Sequence, residues 1–325
     1  MPLMFTGFFA LAQQSTHVLQ PNFLGNKSYT EIYTLDLFSE DSTFVQVQFT
    51  FTNLGVESRN AACKALVLHE SKKPWKVNEK FTEKQWKYAD TPNPVISIGS
   101  NEISALGDKT VLRSVVGGGR IDVTLFAAVA PRKPPDIDYP ATASGALYGY
   151  ELLTPWSRAQ ATLVLPGRPP LKLSGFGNLD RARSVGTSRD ICRGWVTFRG
   201  CKEPCFFLLD LRLPPQKNAP ATGWAWRTGD QKPLPMRGIE VKNESSVIDG
   251  NEISRPMVIA GDRSFTITGT QPLYRYSFVD ELGMFTGSLV KMVIGKPITT
   301  YYQATAQFAD GTPSVPGILE LMSIE

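Results

Sequence analysis

Histidine is nearly missing from this chain: His17 and His69 are the only two in 325 residues. Neither completes a metal-ligand spacing, and Cys201-x-x-x-Cys205 has no matching second pair for a zinc ribbon, so no metal is expected. The usual catalytic signatures are missing as well. Without a Gly-x-Ser-x-Gly elbow the α/β-hydrolases are excluded. Walker loops, zinc-protease helices and EF-hand loops do not occur. Gly175-x-Gly177 lacks the third glycine and the helix of a dinucleotide fold, so no cofactor is expected. Charge is sparse and mixed: 20% of residues are charged, the formal net charge is +4, and no run of five like charges appears. A nucleic-acid partner would need a dense basic stripe, so that class is excluded. No apolar run is long enough for a transmembrane segment. Helical spacing is equally scarce, confined to a turn or two at Phe81–Trp86 and Ser188–Cys192, and predicts under about 12% helix.

Strand signals fill the space that is left. Eighteen Phe, 10 Tyr and 6 Trp favour strands or an aromatic-lined cavity, and 24 Pro and 27 Gly punctuate the chain. Val45 to Thr52 alternates strictly, with Val45, Val47, Phe49 and Phe51 on one face and Gln46, Gln48, Thr50 and Thr52 on the other. That period of two marks a sheet with one buried face. Further strands are predicted at 61–69, 95–98, 110–116, 120–129, 149–153, 159–165 and 171–175, with a proline-rich loop from Pro131. Gly117-Gly-Gly119 lies between two strands and reads as a hairpin rather than a phosphate loop. A second series covers 194–199, 206–213, 223–226, 237–243, 264–268, 274–279, 284–294, 301–308 and 317–322. The chain is therefore all-β, of barrels or sandwiches. Its length suits two domains, and the division is placed near residue 180, giving 13–180 and 181–325.

Residues 1–12 read as a signal segment. Leu3 to Ala12 is a short apolar run, and Ala10-Leu-Ala12 suits a signal-peptidase site. The competing reading is a first core strand or a loose arm. The signal reading implies an extracytoplasmic location, periplasmic or secreted, where Cys63, Cys192, Cys201 and Cys205 can pair.

The most informative segment is Gly175-Phe-Gly-Asn-Leu-Asp180-Arg-Ala-Arg-Ser184, followed by the tryptophan strand Arg193–Gly200. It reads as a glycine-rich corner carrying an acid flanked by two arginines. Asp180 is the catalytic candidate. Beside Arg181 and Arg183 it is expected to stay ionised, which suits a structural ion pair or a site for cationic charge better than a general acid. Tyr148, Tyr150, Trp156, Trp195, Trp224 and Trp226 can line a ligand cavity or pack in the cores, and Arg181 and Arg183 can meet a ligand at its mouth. Arg189, Arg193 and Arg199 add positive charge downstream.

Six segments carry a family resemblance. They are Gln20–Gly25, Tyr29–Tyr33, Phe44–Gln48, Tyr148–Trp156, Gly177–Ser184 and Trp195–Gly200. On these the chain resembles the AttH-like/hydroxyneurosporene-synthase (CrtC-type) double-calycin group, whose folds are related to the yeast survival factors and the fungal Diels–Alderases. The resemblance implies two lipocalin-like antiparallel β-barrels side by side, with a hydrophobic pocket in or between them. It also implies a hydrophobic small-molecule partner, polyene or lipid-like. The family corner commonly reads Gly-Tyr-x-Asp-His. Here Asp180 matches the acid, while Asn178 replaces the Tyr and Arg181 the His. The leading functional expectation is therefore binding of a lipophilic molecule. Cyclisation or hydration of a polyene is the enzymatic alternative, and a structural or transport-associated role without a ligand is the third.

Overall fold

The computed structural model describes residues 19–21, 28–53, 59–69, 71–90, 92–127, 147–216, 219–248, 251–260, 262, 264–277 and 296–324. Among the described residues, strand accounts for 75%, and helix is confined to short turns such as Glu83–Gln85 and Ser188–Ile191. The expected signal segment, the proline-rich loop from Pro131 and the strand at 284–294 lie outside the described residues.

The first sheet has eleven strands: β1 (Tyr29–Ser39), β2 (Phe44–Thr52), β3 (Asn60–His69), β4 (Lys72–Phe81), β5 (Trp86–Ala89), β6 (Val95–Ile98), β7 (Asn101–Leu106), β8 (Lys109–Val116), β9 (Gly119–Ala127), β10 (Leu147–Val164) and β11 (Leu171–Val185). Their order is β4-β3-β2-β1-β11-β10-β9-β8-β7-β6-β5, a nearly closed barrel. Trp75, Phe81, Trp86 and Tyr88, from the two edges and their link, pack on the same interior. The second half is a closed eight-stranded barrel in chain order: β12 (Gly194–Lys202), β13 (Cys205–Leu213), β14 (Ala221–Arg227), β15 (Leu234–Ile248), β16 (Asn251–Ile259), β17 (Phe265–Ser277), β18 (Pro297–Phe308) and β19 (Val315–Ile324). The ladder closes between β12 and β19. The first sheet thus runs to Val185 and the second starts at Gly194, so a division at 180 falls inside β11.

Alternation decides what faces what. Tyr33, Leu35 and Leu37 of β1 join Val45, Val47, Phe49 and Phe51 of β2 in the first core. Val196 and Phe198 of β12 join Phe207, Leu209 and Leu211 of β13 in the second. Both barrels are therefore packed with their own side chains. The intervening residues of these strands point outward. Many are buried nonetheless, because the outer face of one barrel lies on the outer face of the other.

Two expectations are corrected here. The segments at 149–153 and 159–165 form one strand, β10, with register shifts at Leu152/Thr154 and Thr154/Ser157. Pro155 between them has no N–H for the ladder, so the strand bulges instead of ending. The glycine-rich corner expected over 175–194 is strand as far as Val185, the end of β11. A Cβ at Gly175 would lie 2.2 Å from the Phe38 carbonyl oxygen, and one at Gly177 2.6 Å from that of Asp36. These glycines let β11 approach β1 closely.

All four cysteines are free. Register pairs Cys201 with Phe206 and Lys202 with Cys205, which sets Cys201 and Cys205 on opposite faces of their hairpin.

Candidate functional site

The barrels meet through two apolar clusters. One gathers Tyr150, Leu152, Phe206, Leu208, Trp224 and Trp226. The other gathers Phe44, Leu66, Leu68, Tyr301 and Ile318. Polar and charged residues from both barrels lie at the same interface. The first barrel presents Thr34, Asp36, Gln46, Gln48 and Asp180, and the second Thr197, Arg199, Asp210, Arg212 and Glu320. They wall a cavity of about 240 Å³, which Tyr148, Tyr150, Arg183, Cys192 and Trp195 also line.

Arg199, on the outward face of β12, is the hub. Its Nη1 donates to the carbonyl oxygens of Phe198 at 3.2 Å and Leu209 at 2.9 Å. Its Nη2 donates to the Tyr150 hydroxyl at 2.9 Å and to Asp180 Oδ2 at 3.4 Å. Its Nε lies 3.7 Å from Asp36 Oδ2. Asp36 Oδ1 accepts from Gln46 Nε2 at 3.0 Å, and Gln46 Oε1 accepts from the Tyr301 hydroxyl at 3.1 Å. Asp180 Oδ2 also accepts from Asn178 Nδ2 at 3.3 Å. Arg212 pairs with Asp210 at 2.8 Å and donates to the Tyr148 hydroxyl, with its guanidinium 4.6 Å from the Tyr148 ring centre.

Three carboxyls around one or two guanidiniums, all buried, cannot all ionise freely. Burial pushes Asp36 up to about 7, against the pull of Arg199 and with a further push from Asp180. Burial likewise pushes Asp180 up to about 6, against Arg199 and the Tyr150 hydrogen bond. Asp210 is raised by burial too, opposed by Arg212 and Arg199. Burial holds Tyr150 well above its usual range, so it stays a hydroxyl. The arrangement can keep a proton on one of two neighbouring carboxyls near neutral pH, the requirement for acid–base work.

The flanking arginines expected to hold Asp180 ionised do not do so. In a strand, neighbours face opposite ways. Asp180 faces the interface, while Arg181 turns to the other side and reaches Glu151 and the Gln20 carbonyl oxygen, the latter at 2.9 Å. Glu31, fully buried, lies 3.7 Å from Arg181 and accepts from the Tyr29 and Tyr33 hydroxyls at 2.6 and 3.0 Å. Arg183 adds a 2.7 Å bond to Glu151. This cluster ties residues 19–20 to the first barrel.

Of the residues singled out in the sequence, Asp180, Tyr148, Tyr150, Arg183 and Trp195 line the cavity. Arg181, Trp156, Trp224 and Trp226 do not border it. Trp156 stacks between Phe176 and Phe206, with ring centres 4.4 and 5.0 Å away. Trp226 packs edge-on to Phe206, and Trp224 lies 5.3 Å from the Tyr150 ring. Sequence reading passed over Asp36, Gln46, Asp210, Arg212 and Glu320, and treated Arg199 only as added charge. The overlooked signal was a charge set among leucines, in Leu35-Asp-Leu37 and Leu209-Asp-Leu-Arg-Leu213.

Among the described residues no helix is long and apolar enough to cross a membrane, and no group of three or more His, Cys, Asp and Glu could hold a metal ion. Sequence comparison finds no matching family and no matching curated relative. Solved structures do match. A protein described as an AttH from Nitrosomonas europaea aligns over 92% of this chain and 93% of its own, with a TM-score of 0.63 and 12% identity. CghA bound to Sch210972 aligns over 92% and 89%, at 0.58 and 14%. Kievitone hydratase from Nectria haematococca aligns over 91% and 89%, at 0.52 and 13%. The chain therefore has the AttH-like double-calycin fold, two antiparallel barrels docked side by side.

Proposed function

We propose that this protein is an enzyme that takes a lipophilic, unsaturated small molecule into the inter-barrel cavity and transfers a proton there, adding water to a double bond or closing a ring. One observation carries the reading. Asp36 and Asp180 share Arg199 at the cavity wall, and burial sets both near neutral pH. In hydration, the carboxylic acid of Asp180 delivers its proton to one alkene carbon, and the π pair forms the new C–H bond. Water then attacks the cationic carbon and returns a proton to the carboxylate. In cyclisation the same acid polarises the reacting end while the cavity holds one conformer. That a hydratase shares the fold supports the reading, as does the packing of both barrel interiors, which leaves the space between them for a ligand.

The test is incubation of the protein with acyclic polyenes in deuterated water, followed by mass spectrometry. Carbon-bound deuterium in a product, lost with Asp180→Asn, supports the enzyme. Polyene recovered unchanged from a saturated complex leaves a binding protein, and no complex with any polyene rejects the cavity as a lipophilic site.

A further inference from the structure

Arg199 carries five N–H donors. Four are used by the two carbonyl oxygens, Tyr150 and Asp180. The fifth, on Nε, is buried and has no hydrogen-bond partner among the described residues. An unmatched buried donor is costly and rare in a settled core. This one lies at a residue that walls the cavity, 3.7 Å from the Oδ2 of Asp36, another wall residue. Gln46 already donates to Asp36 Oδ1, so a proton on Asp36 belongs on Oδ2, the side toward Arg199. Two donors at that separation can converge on a single acceptor atom at ordinary hydrogen-bond lengths.

We propose that Arg199 Nε–H and the Oδ2 hydroxyl of Asp36 form a two-donor seat for one ligand oxygen, and that the substrate is a conjugated ketone or aldehyde bound oxygen-first. The inference rests on the inter-barrel cavity being the substrate site. The charge inventory selects a neutral oxygen over a carboxylate. With Asp36 counted as neutral, the acids Asp180, Asp210 and Glu320 still outnumber Arg199 and Arg212 on the wall, and Arg183 is already matched by Glu151. A further anion would add to the acid excess. The Asp36 proton persists because burial favours the neutral form against Arg199, and Asp180 pushes the same way once it has given up its own proton; Gln46 stabilises the anion and Glu320 adds a push toward neutrality. Trp195 and Tyr148 on the wall suit a flat unsaturated body. Two donors at a carbonyl oxygen withdraw electron density from the conjugated chain. They also stabilise negative charge developing on that oxygen, the action of an oxyanion hole. Such a ligand is activated for conjugate addition of water or for cycloaddition without a metal being required.

The probe is β-ionone, a conjugated ketone, carrying a ¹³C-labelled carbonyl, compared with the hydrocarbon of the same skeleton lacking oxygen. Infrared difference spectra of the wild-type complex should place the C=O stretch below its frequency in water. β-Ionone should bind about tenfold more tightly than the hydrocarbon, the factor expected for the seat's hydrogen bonding. Asp36→Leu should raise the stretch and remove the preference, whereas Asp36→Asn, whose amide can still donate, should keep part of both. A stretch at or above the value in water, with equal binding of ketone and hydrocarbon, overturns the seat and leaves the cavity reading standing. Failure of both probes to bind overturns the seat together with that reading. The wild-type spectrum decides the matter even if Asp36→Leu does not fold.

Discussion

Arg181 and Arg199 are both buried, both contributed by strands at the inter-barrel face, and both surrounded by carboxylates and tyrosines. They differ in how completely they are matched. Arg181 meets Glu151, Glu31, the Tyr33 hydroxyl and a backbone carbonyl on the inner side of β11. Arg199 meets Asp36, Asp180 and Tyr150, keeps one N–H unused, and borders a cavity. The first arrangement is a fastening, and the second keeps hydrogen-bonding capacity beside a cavity. The contrast shows that residue types alone do not mark a site. Unspent hydrogen-bonding capacity beside space does.

The sharpest way to break this contrast is to remove one charged member of each cluster and compare turnover with melting. Asp180→Asn is expected to lower the rate of product formation by about two to four orders of magnitude. Below about pH 6, where the buried carboxyl is neutral, it should move the melting temperature little, because Asn imitates that form. A large loss of stability with activity intact would make Asp180 a fastening after all. Arg181→Ala should do the reverse. It removes the cation beside fully buried Glu31, and breaking a buried pair costs about 3–5 kcal/mol. Denaturant melts check this, and a variant as stable as wild type would erase the difference between the two arginines.

A pH series sharpens the comparison further. Asp36 and Asp180 have folded values of about 7 and about 6, above the ordinary aspartate value of 3.8. Between those limits the folded chain binds more protons than the unfolded one, so their contribution to stability is present at low pH and is lost as pH rises through the folded values. Stability should therefore fall by up to about 7 kcal/mol from about pH 4 to pH 7 on their account. Asp36→Asn should flatten that slope, and an unchanged slope would remove Asp36 as its source. The smallest effect is expected at the surface. Arg158 and Glu203 join the barrels by a 2.5 Å pair with side chains 71% and 57% exposed. Arg158→Ala should change stability by less than about 1 kcal/mol, and a larger loss would show that the rim, not the interior, fastens the barrels.

The fold was legible where alternation is clean. β2, with Val45, Val47, Phe49 and Phe51 inward, follows directly from the sequence. β4, rich in lysine and half-exposed throughout, gives no such contrast and was not anticipated. β1 alternates well, but its outward positions include half-buried Thr34 and buried Asp36, covered by a second barrel that no local pattern announces. The site was half legible for the same reason. Asp180 stood out by composition, yet its partners were sought among its chain neighbours, whereas a strand sends those neighbours to the opposite face. The true partner, Arg199, lies nineteen positions on, beyond a chain reversal and on another barrel.

The division of the wall between two halves has a consequence for how such a protein changes over time. Neither hydrophobic core contains the reactive groups, so each interior is free to drift while its outline is kept, as the 12–14% identity across shared folds illustrates. On the proposed function, ligand preference would be set by a few outward positions of β1, β2, β11, β12, β13 and β19. A single exchange on either barrel can therefore alter the container without reopening the other, and new chemistry can be tried one wall at a time.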